Sequence, residues 1–451
     1  MFHKEDGRQA IGVFAVVVLA SALGNLSQTG LNAMLTTVCG EFGIAEGVGQ
    51  WLTTAYMLAL GIVVPLSSYF MGRFRLKDLV MLSIVVFAAG ALVAALAPSF
   101  EVLLAGRLAQ AIAAGILLPL MQTIAMTRFP DGKKATAMGI AGVALGFAPN
   151  IGPTIGGAMV GSLGWRSFFW LLLGLTVAVG IAGQLVIKRR DDASYPAAFD
   201  MLSFALSALG FGGLLMGASE ASSYPAAHPM VWAPFVVGAT CLAAFARRQR
   251  TLENPLVDLR IFENKRFVCG FWALNCLFAS FMGITLLVPL YIEGLCGGDA
   301  MQAGMVLLPG TVAALVVNPL AGMLVDKVGA RPVCLVSGVL LATGACLMVR
   351  CDASTPLWAV CAMQGVRACG VSGLIGPLTS WSLSDLRDRQ ISDGSGFGNA
   401  VRQACASIGC AGMVMFACGG LLSGEAAFHA AFGLSAVLAV ATFAIVFARV
   451  R

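Results

Sequence analysis

Long apolar stretches recur from near the start of the chain to its end, and short polar segments separate them. A helix that crosses a bilayer needs about 20 mostly apolar residues. By that rule the pattern predicts fourteen membrane-spanning helices, at residues 11–36, 49–70, 79–97, 102–126, 136–160, 167–187, 199–219, 229–246, 267–292, 302–325, 332–350, 356–381, 396–420 and 428–448. We therefore expect an all-α protein that crosses the membrane many times.

The composition supports a polytopic membrane protein. Hydrophobic residues make up 59% of the 451 residues and charged residues only 11%, whereas a soluble domain carries roughly 25% charged residues. This leaves no room for a separate soluble domain.

The basic residues are distributed unequally between the two sides of the predicted bundle. All but five of the 28 Lys and Arg residues precede the first span or follow an even-numbered span; the exceptions are Arg107, Arg166, Arg350, Arg367 and Arg402. The positive-inside rule assigns the basic side to the cytoplasm. We expect a multi-pass protein of a bacterial-type cytoplasmic (inner) membrane with both termini cytoplasmic. The asymmetry also explains the net charge of +6, which therefore gives no support to nucleic-acid binding.

Polar side chains interrupt the first span on one face. Gln28 and Asn32 are four residues apart, and Asn25 lies on nearly the same face. Polar groups are costly in hydrocarbon and usually point into a bundle or a cavity. We interpret these residues, with Tyr56 of the second span, as the wall of a substrate cavity; the alternative is hydrogen bonding that only joins helices.

Two arginines lie inside predicted spans, each close to a glutamine. Arg107 and Gln110 open the fourth span, and Gln364 and Arg367 lie one turn apart in the twelfth. We interpret Arg107, Gln110 and Gln364 as further residues of the substrate cavity; for Arg107 the alternative is a side chain that extends outward to the nearby membrane surface. Arg367 lies roughly 16 Å inside the helix, so we expect it to face the cavity. Its alternative role is a buried pairing that holds the bundle together.

The fifth span combines glycine and proline in an otherwise apolar sequence, and its motif residues are Gly139, Gly152, Pro153, Gly156 and Gly157. Small residues allow close approach of neighbouring helices in a membrane, and a span with proline needs such neighbours to satisfy its backbone. This spacing resembles the antiporter motif of major facilitator superfamily exporters, with Ala148 in place of one glycine. The alternative is a tight, kinked helix contact without functional meaning.

The loop after the tenth span contains Gly322, Asp326, Gly329 and Arg331. The glycines permit a tight turn, and the carboxylate would lie near a helix N-terminus and cationic side chains. It resembles an intact copy of the superfamily's loop motif. That motif is degraded after the second span, where Ser68, Gly72 and Arg75 stand in place of the first glycine, the aspartate and the second glycine, respectively. We expect Asp326 and Arg331 to latch an inner gate; the alternative is a structural charged turn.

Over nearly its whole length the sequence resembles the fourteen-helix drug/proton antiporter (multidrug efflux) family of the major facilitator superfamily. The segment 253–262 matches that family's cytoplasmic connector. The resemblance implies two six-helix halves, each of inverted three-helix repeats, with two inserted helices. It divides the chain into an N-terminal half at 1–190, inserted helices at 191–250, a connector at 251–266 and a C-terminal half at 267–451.

The resemblance implies a secondary active transporter that exports amphipathic small molecules, such as drug-like compounds, lipids or metabolites, by alternating access. Such antiporters exchange cargo for protons and confer antibiotic resistance. The family's first-helix aspartate is Ser27 here, so the expected proton carriers are Glu220 and Glu293 at outer span ends. Since Arg367 would be an unopposed cation in the cavity, we expect neutral or anionic cargo.

Two further classes remain open at this point. One is an uncoupled facilitator or an anion or metabolite exchanger, and the other is a non-transporting membrane sensor or scaffold. No nucleophile and base at chemical spacing indicate an enzyme, and no cofactor or metal site is predicted. The expected partners are an amphipathic substrate, the lipid bilayer and protons, with no nucleic acid, and the expected state is a monomer.

Overall fold

The computed structural model describes residues 7–188, 200–221, 228–253, 255–418, 422 and 424–450. In these residues fourteen helices are long and apolar enough to cross a membrane. We number them in chain order as α1 Gly7–Phe42, α2 Gly47–Arg73, α3 Leu76–Ala95, α4 Phe100–Thr127, α5 Asp131–Gly161, α6 Arg166–Val186, α7 Met201–Glu220, α8 Pro229–Thr251, α9 Lys265–Leu295, α10 Met301–Val328, α11 Ala330–Met348, α12 Leu357–Leu383, α13 Asp388–Cys418 and α14 Glu425–Arg449. Each predicted span falls on one of these helices.

The outside of the bundle is apolar, as a lipid-facing surface must be. Leu185 is 80% exposed and Trp358 is 74% exposed, although neither side chain would face water favourably. The interior contains aromatic rings such as Phe168 and Phe169, together with many small residues. Helices satisfy every backbone group internally, which is why they are the elements that an apolar sequence forms in lipid.

The two halves share one packing plan. In the first half α1 contacts α4, α5 and α6, and in the second half α9 contacts the equivalent helices α12, α13 and α14. This agrees with the expected two six-helix halves. The inserted helices α7 and α8 pack against each other, and α7 also contacts α2 and α13. The segment 189–199, which contains the predicted boundary at residue 190, lies outside the described residues, as does Asn254 of the predicted connector, so those boundaries stay predictions.

Two seams join the halves. At one seam α5 contacts α10 and α12, and at the other α13 contacts α2 and α4. Because the described residues form an even number of helices that could cross a membrane, α1 begins and α14 ends on the same face of the bundle. We call this the terminal face and the other the distal face.

Close helix packing at the first seam depends on glycine. A Cβ atom added to Gly139 would lie 2.5 Å from the carbonyl oxygen of Asn318 in α10. Farther along α5, a Cβ on Gly152 or Gly156 would collide with α1 near Thr29 and Gly30. The glycine-rich helix is therefore wedged between the other half at its start and its own first helix farther on. Pro153 lies within this helix, and a Cβ added to Gly157 would lie 3.8 Å from the Cβ of Ala33, an ordinary contact.

Candidate substrate cavity and terminal-face gate

A cavity of about 490 Å³ lies between the halves. It reaches Asn32 and Ser219 near the distal ends of α1 and α7. Its apolar lining includes Met57, Leu58, Leu118, Leu145, Leu215, Phe278, Met282 and Leu286, and its polar lining includes Asn25, Gln28, Asn32, Thr53, Thr54, Asn399, Arg402, Gln403 and Ser407. The volume falls within the range of small-molecule sites, roughly 300–1,000 Å³.

The polar face of α1 lies on this cavity. Asn25, Gln28 and Asn32 are together in its lining. The amide nitrogen of Asn25 donates to the carbonyl oxygen of Ala144 in α5 at 3.1 Å, while Asn32 accepts a hydrogen bond from Thr53 at 3.0 Å. Asn25 and Asn32 thus join helices as well as line the cavity.

Tyr56, Arg107 and Gln110 lie behind the cavity wall and outside its lining. Arg107 is fully buried, so its side chain does not extend to the membrane surface. Its Nη1 donates to the carbonyl oxygen of Ser27 at 2.9 Å and to the Ser27 hydroxyl at 2.6 Å. The Tyr56 ring lies 4.2 Å from the Arg107 Cζ, and the Ser27 hydroxyl donates to Gln110 at 3.2 Å. This cluster joins α1, α2 and α4.

Gln364 and Arg367 also lie outside the main lining. Both are buried, and the Arg367 Nη2 donates to the carbonyl oxygen of Ser280 in α9 at 2.8 Å and to its hydroxyl at 3.1 Å. They line a separate cavity of about 20 Å³ between α5, α9, α10 and α12. Thr285 belongs to both linings, so the small cavity adjoins the large one.

Sequence reasoning did not select the cation that lines the large cavity, which is Arg402 of α13. Its guanidinium carbon lies 4.9 Å from the centre of the Phe278 ring, and no Asp or Glu is among the described lining residues. Asn399 and Gln403 line the cavity beside it. The spacing of Asn399, Arg402 and Gln403 places them on one face of a helix, and this common polar face is the sequence signal that could have identified them. Whether the face turns toward the cavity depends on the rotation of the helix about its axis, which the sequence did not predict.

Three contacts between the halves close the terminal face below this cavity. Gln122 of α4 and Asn399 of α13 form a side-chain pair with a hydrogen bond of 2.8 Å. The Ser68 hydroxyl of α2 donates to the carbonyl oxygen of Ser392 at 2.9 Å. At the other seam the Asp326 carboxylate accepts hydrogen bonds from α5. These contacts hold the two halves together at the terminal face.

The Asp326 carboxylate lies near the N-terminus of α5, where a short 3-10 turn at Asp131–Lys133 leads into the α-helix that begins at Lys134. It accepts hydrogen bonds from the backbone nitrogens of Ala135 at 3.2 Å and Thr136 at 2.8 Å, and from the Thr136 hydroxyl. First-turn amides have no partner inside their helix, and their partial positive charge favours an anion. Gly322 permits the approach, because an added Cβ would collide with the Ala135 carbonyl.

The other two predicted gate residues, Gly329 and Arg331, follow Asp326 in the sequence but do not take part in this contact. Gly329 has a φ of 89°, a conformation that favours glycine. Arg331 is exposed, and the carboxylate is held by backbone amides and a hydroxyl and not by this cation.

The predicted proton carriers Glu220 and Glu293 also lie outside the cavity lining. Glu220 is half-buried at the end of α7, and Glu293 is exposed near the end of α9. The structure reveals another acid, Asp393 of α13, which is only 4% exposed. Its Oδ2 accepts a hydrogen bond of 3.2 Å from the backbone nitrogen of Asp258 in the connector. Among the described residues it forms no ion pair.

Comparison with known proteins identifies the family. Residues 17–410 match the Major Facilitator Superfamily. The chain is 33% identical over 408 residues to the MFS-type transporter YhcA of Bacillus subtilis (strain 168), covering 90% of this chain and 76% of the relative. It is 32% identical over 401 residues to the lincomycin resistance protein LmrB of Listeria monocytogenes, covering 89% and 85%.

More distant matches agree with this family. A multidrug resistance protein B homolog of Mycobacterium tuberculosis is 30% identical over 334 residues, covering 73% of this chain and 61% of the relative. The crystal structure of the human organic anion transporter MFSD10 superposes with a TM-score of 0.70 at 15% identity, covering 97% of this chain and 99% of the other. The proton:xylose symporter XylE gives 0.67 at 14% identity, covering 99% and 97%. The chain therefore belongs to the Major Facilitator Superfamily, a family of membrane transporters and not of enzymes.

Proposed function

We propose that this secondary transporter exports amphipathic small molecules from the cytoplasm by alternating access. The observation that carries the proposal is the cavity of about 490 Å³ between the halves, closed on the terminal face by contacts that join one half to the other. Because these hydrogen bonds join one half to the other and none of them lies within a half, the halves can part there without unpacking their own helices. The positive-inside rule makes the terminal face cytoplasmic.

The lining favours neutral or anionic cargo. Its mixture of Met, Leu, Phe and uncharged polar side chains suits an amphipath. Arg402 is the one charged residue among the described lining residues, and a cation without a nearby carboxylate disfavours cationic ligands. We assign to Arg402 the cargo-facing role that the sequence predicted for Arg367, because the Arg367 cavity of about 20 Å³ is too small for an amphipath.

Relatives named for lincomycin resistance and multidrug resistance support export of antibiotics. Lincomycin therefore belongs in the first panel of compounds. The family resemblance supports proton exchange, and Asp393 joins Glu220 and Glu293 as a candidate carrier, because it is a buried acid near the start of α13 at the contact between the halves. The charges of Asp258 and Arg389 act on Asp393.

The second candidate function is an uncoupled facilitator or an anion exchanger. The absence of Asp and Glu from the described cavity lining favours it, because proton exchange usually uses a carboxylate in contact with the cargo pathway.

Transport by the purified protein in liposomes tests both candidates. The panel contains cationic, neutral and anionic amphipaths with and without a pH gradient. Movement driven by the gradient, and lost in Asp393→Asn, supports proton exchange; movement indifferent to the gradient supports the uncoupled alternative. Failure to move any compound in either condition would refute transport of amphipaths.

A substitution that removes the positive charge of Arg402 tests its assignment as the cargo-facing cation. We expect Arg402→Gln to lower the transport rate of anionic amphipaths about tenfold or more and that of neutral ones much less, since a hydrogen bond to a charged group contributes roughly 1.5–3 kcal/mol. Arg350→Gln is the matched control, because Arg350 is exposed and outside the lining. Equal losses for both cargo classes would contradict the assignment.

A further inference from the structure

Two buried arginines occupy similar places in the two halves. Arg107 lies in the fourth helix of the first half and Arg367 in the fourth helix of the second. Each is fully buried and donates to the carbonyl oxygen and hydroxyl of a serine in the first helix of its own half, Ser27 or Ser280. One end of each guanidinium therefore joins two helices.

Each guanidinium also has two nitrogens without an acceptor among the described residues, Nε and Nη2 in Arg107 and Nε and Nη1 in Arg367. The surroundings of these nitrogens differ. The Tyr56 ring covers the guanidinium of Arg107, whose Nη1 also donates a weak hydrogen bond of 3.3 Å to Gln110. Arg367 has no such ring in the described contacts. Its Nε and Nη1 have no acceptor among the described residues, yet Arg367 lines the cavity of about 20 Å³.

The groups around this cavity suit a small anion. Asn150 of α5, Thr285 of α9 and Ser372 of α12 supply amide or hydroxyl donors, and no Asp or Glu is in the described lining. A volume of this size holds a single water-sized species. Arginine is the side chain that most readily keeps its charge when buried, and a buried charge normally has a partner of opposite sign.

We propose that the Arg367 cavity binds one monatomic anion of the chloride type. The anion accepts hydrogen bonds from the Nε and Nη1 of Arg367 and neutralises its charge. Asn150 belongs to the first half, whereas Arg367, Thr285 and Ser372 belong to the second, so the anion is held between the halves and its site is complete only while α5 stays against α9 and α12. The proposal goes beyond the transport function, because anion binding is measured without any cargo.

Equilibrium binding of radiolabelled chloride to the purified protein in detergent tests the proposal. Ionic strength is held constant with sodium gluconate, whose anion is too large for the cavity. We expect about one chloride per chain, displaced by bromide and not by gluconate. No saturable binding to the wild-type protein would overturn the proposal and leave the cavity to water.

Matched variants locate the site. Arg367→Gln should abolish chloride binding, whereas Arg107→Gln, which removes an equally buried arginine, should retain it. If Arg367→Gln does not fold, Asn150→Ala removes a donor from the opposite half and should weaken chloride binding at least threefold. Loss of binding in Arg107→Gln to the same extent, or unchanged binding in both Arg367→Gln and Asn150→Ala, would contradict the assignment. A protein that binds chloride but moves no amphipath would refute only the proposed function.

Discussion

Removing the charge of Asp326 should weaken the terminal-face gate by a predictable amount. The carboxylate accepts hydrogen bonds from two first-turn amides of α5, those of Ala135 and Thr136, and from the Thr136 hydroxyl. Asp326→Asn keeps one carbonyl oxygen, so it loses the charge and at least one acceptor. Charge-assisted hydrogen bonds contribute roughly 1.5–3 kcal/mol and the helix dipole about 0.3–1 kcal/mol.

Because Asp326 is half-buried, solvent screening reduces these contributions. We expect the substitution to weaken the closed state by about 1–2 kcal/mol, which is a factor of roughly 5–30 in the ratio of closed to open gate. The energy concerns a contact between the halves, so it changes the gate equilibrium more than the stability of either half.

Hydrogen–deuterium exchange of the peptide that contains Ala135 and Thr136 measures this change. These amides lie in the first turn of α5, so their protection reports the contact with Asp326. Exchange should become 5–30 times faster in Asp326→Asn, by the same free-energy estimate. Arg331→Gln is the control, because it alters a charge in the same loop that is exposed. Unchanged exchange in Asp326→Asn, or an equal increase in the control, would refute the latch.

Two further substitutions test the packing of α5 against α1 and an ion pair near the terminal face. Gly156→Ala should lower the melting temperature, because the added Cβ collides with the Gly30 carbonyl and overpacking costs about 1–3 kcal/mol. Gly161→Ala is the control and should leave the melting temperature unchanged, since its Cβ enters open space. Equal melting temperatures of the two variants would contradict the close contact. The Arg248 guanidinium holds the pKa of Asp200 well below its usual range. The ion pair therefore stabilises the fold fully at pH values above the unfolded-state pKa of about 3.9. This stabilisation is lost as the pH falls toward and through the depressed pKa of the folded state. Asp200→Asn should therefore melt lower than the wild type by a constant amount from pH 7 to pH 5, and a difference that disappears within that range would contradict the assignment.

The helix topology and the face of α1 were predictable from the sequence. Apolar runs of about 20 residues have few alternatives to a spanning helix, and all fourteen predicted spans coincide with helices. The spacing of Asn25, Gln28 and Asn32 fixed their common face whatever their neighbours were, and the structure places all three on one cavity.

The directions of the buried charges were not predictable in this way. Depth along a helix follows from residue number, but rotation about its axis is set by packing against other helices. Arg367 is turned toward Ser280 and away from the large cavity, and Arg402 is turned toward it. Asp393 is buried partly by Asp258, which is 135 residues away in the sequence, so no local pattern indicated its burial.

The two seams close the terminal face with contacts of different strength. At the α5 seam a carboxylate caps a helix N-terminus, and glycines bring α5 within close contact of α10. At the α13 seam the loop motif is degraded, and the contacts are neutral hydrogen bonds, one from the Ser68 hydroxyl to the carbonyl oxygen of Ser392 and one between the Gln122 and Asn399 side chains. Hydrogen bonds to an ionised group are roughly twice as strong as neutral ones. We therefore expect the terminal face to open first where α2 and α4 meet α13, with the glycine-packed α5 seam as the hinge side, and this places the entry path beside Asp393 and the connector.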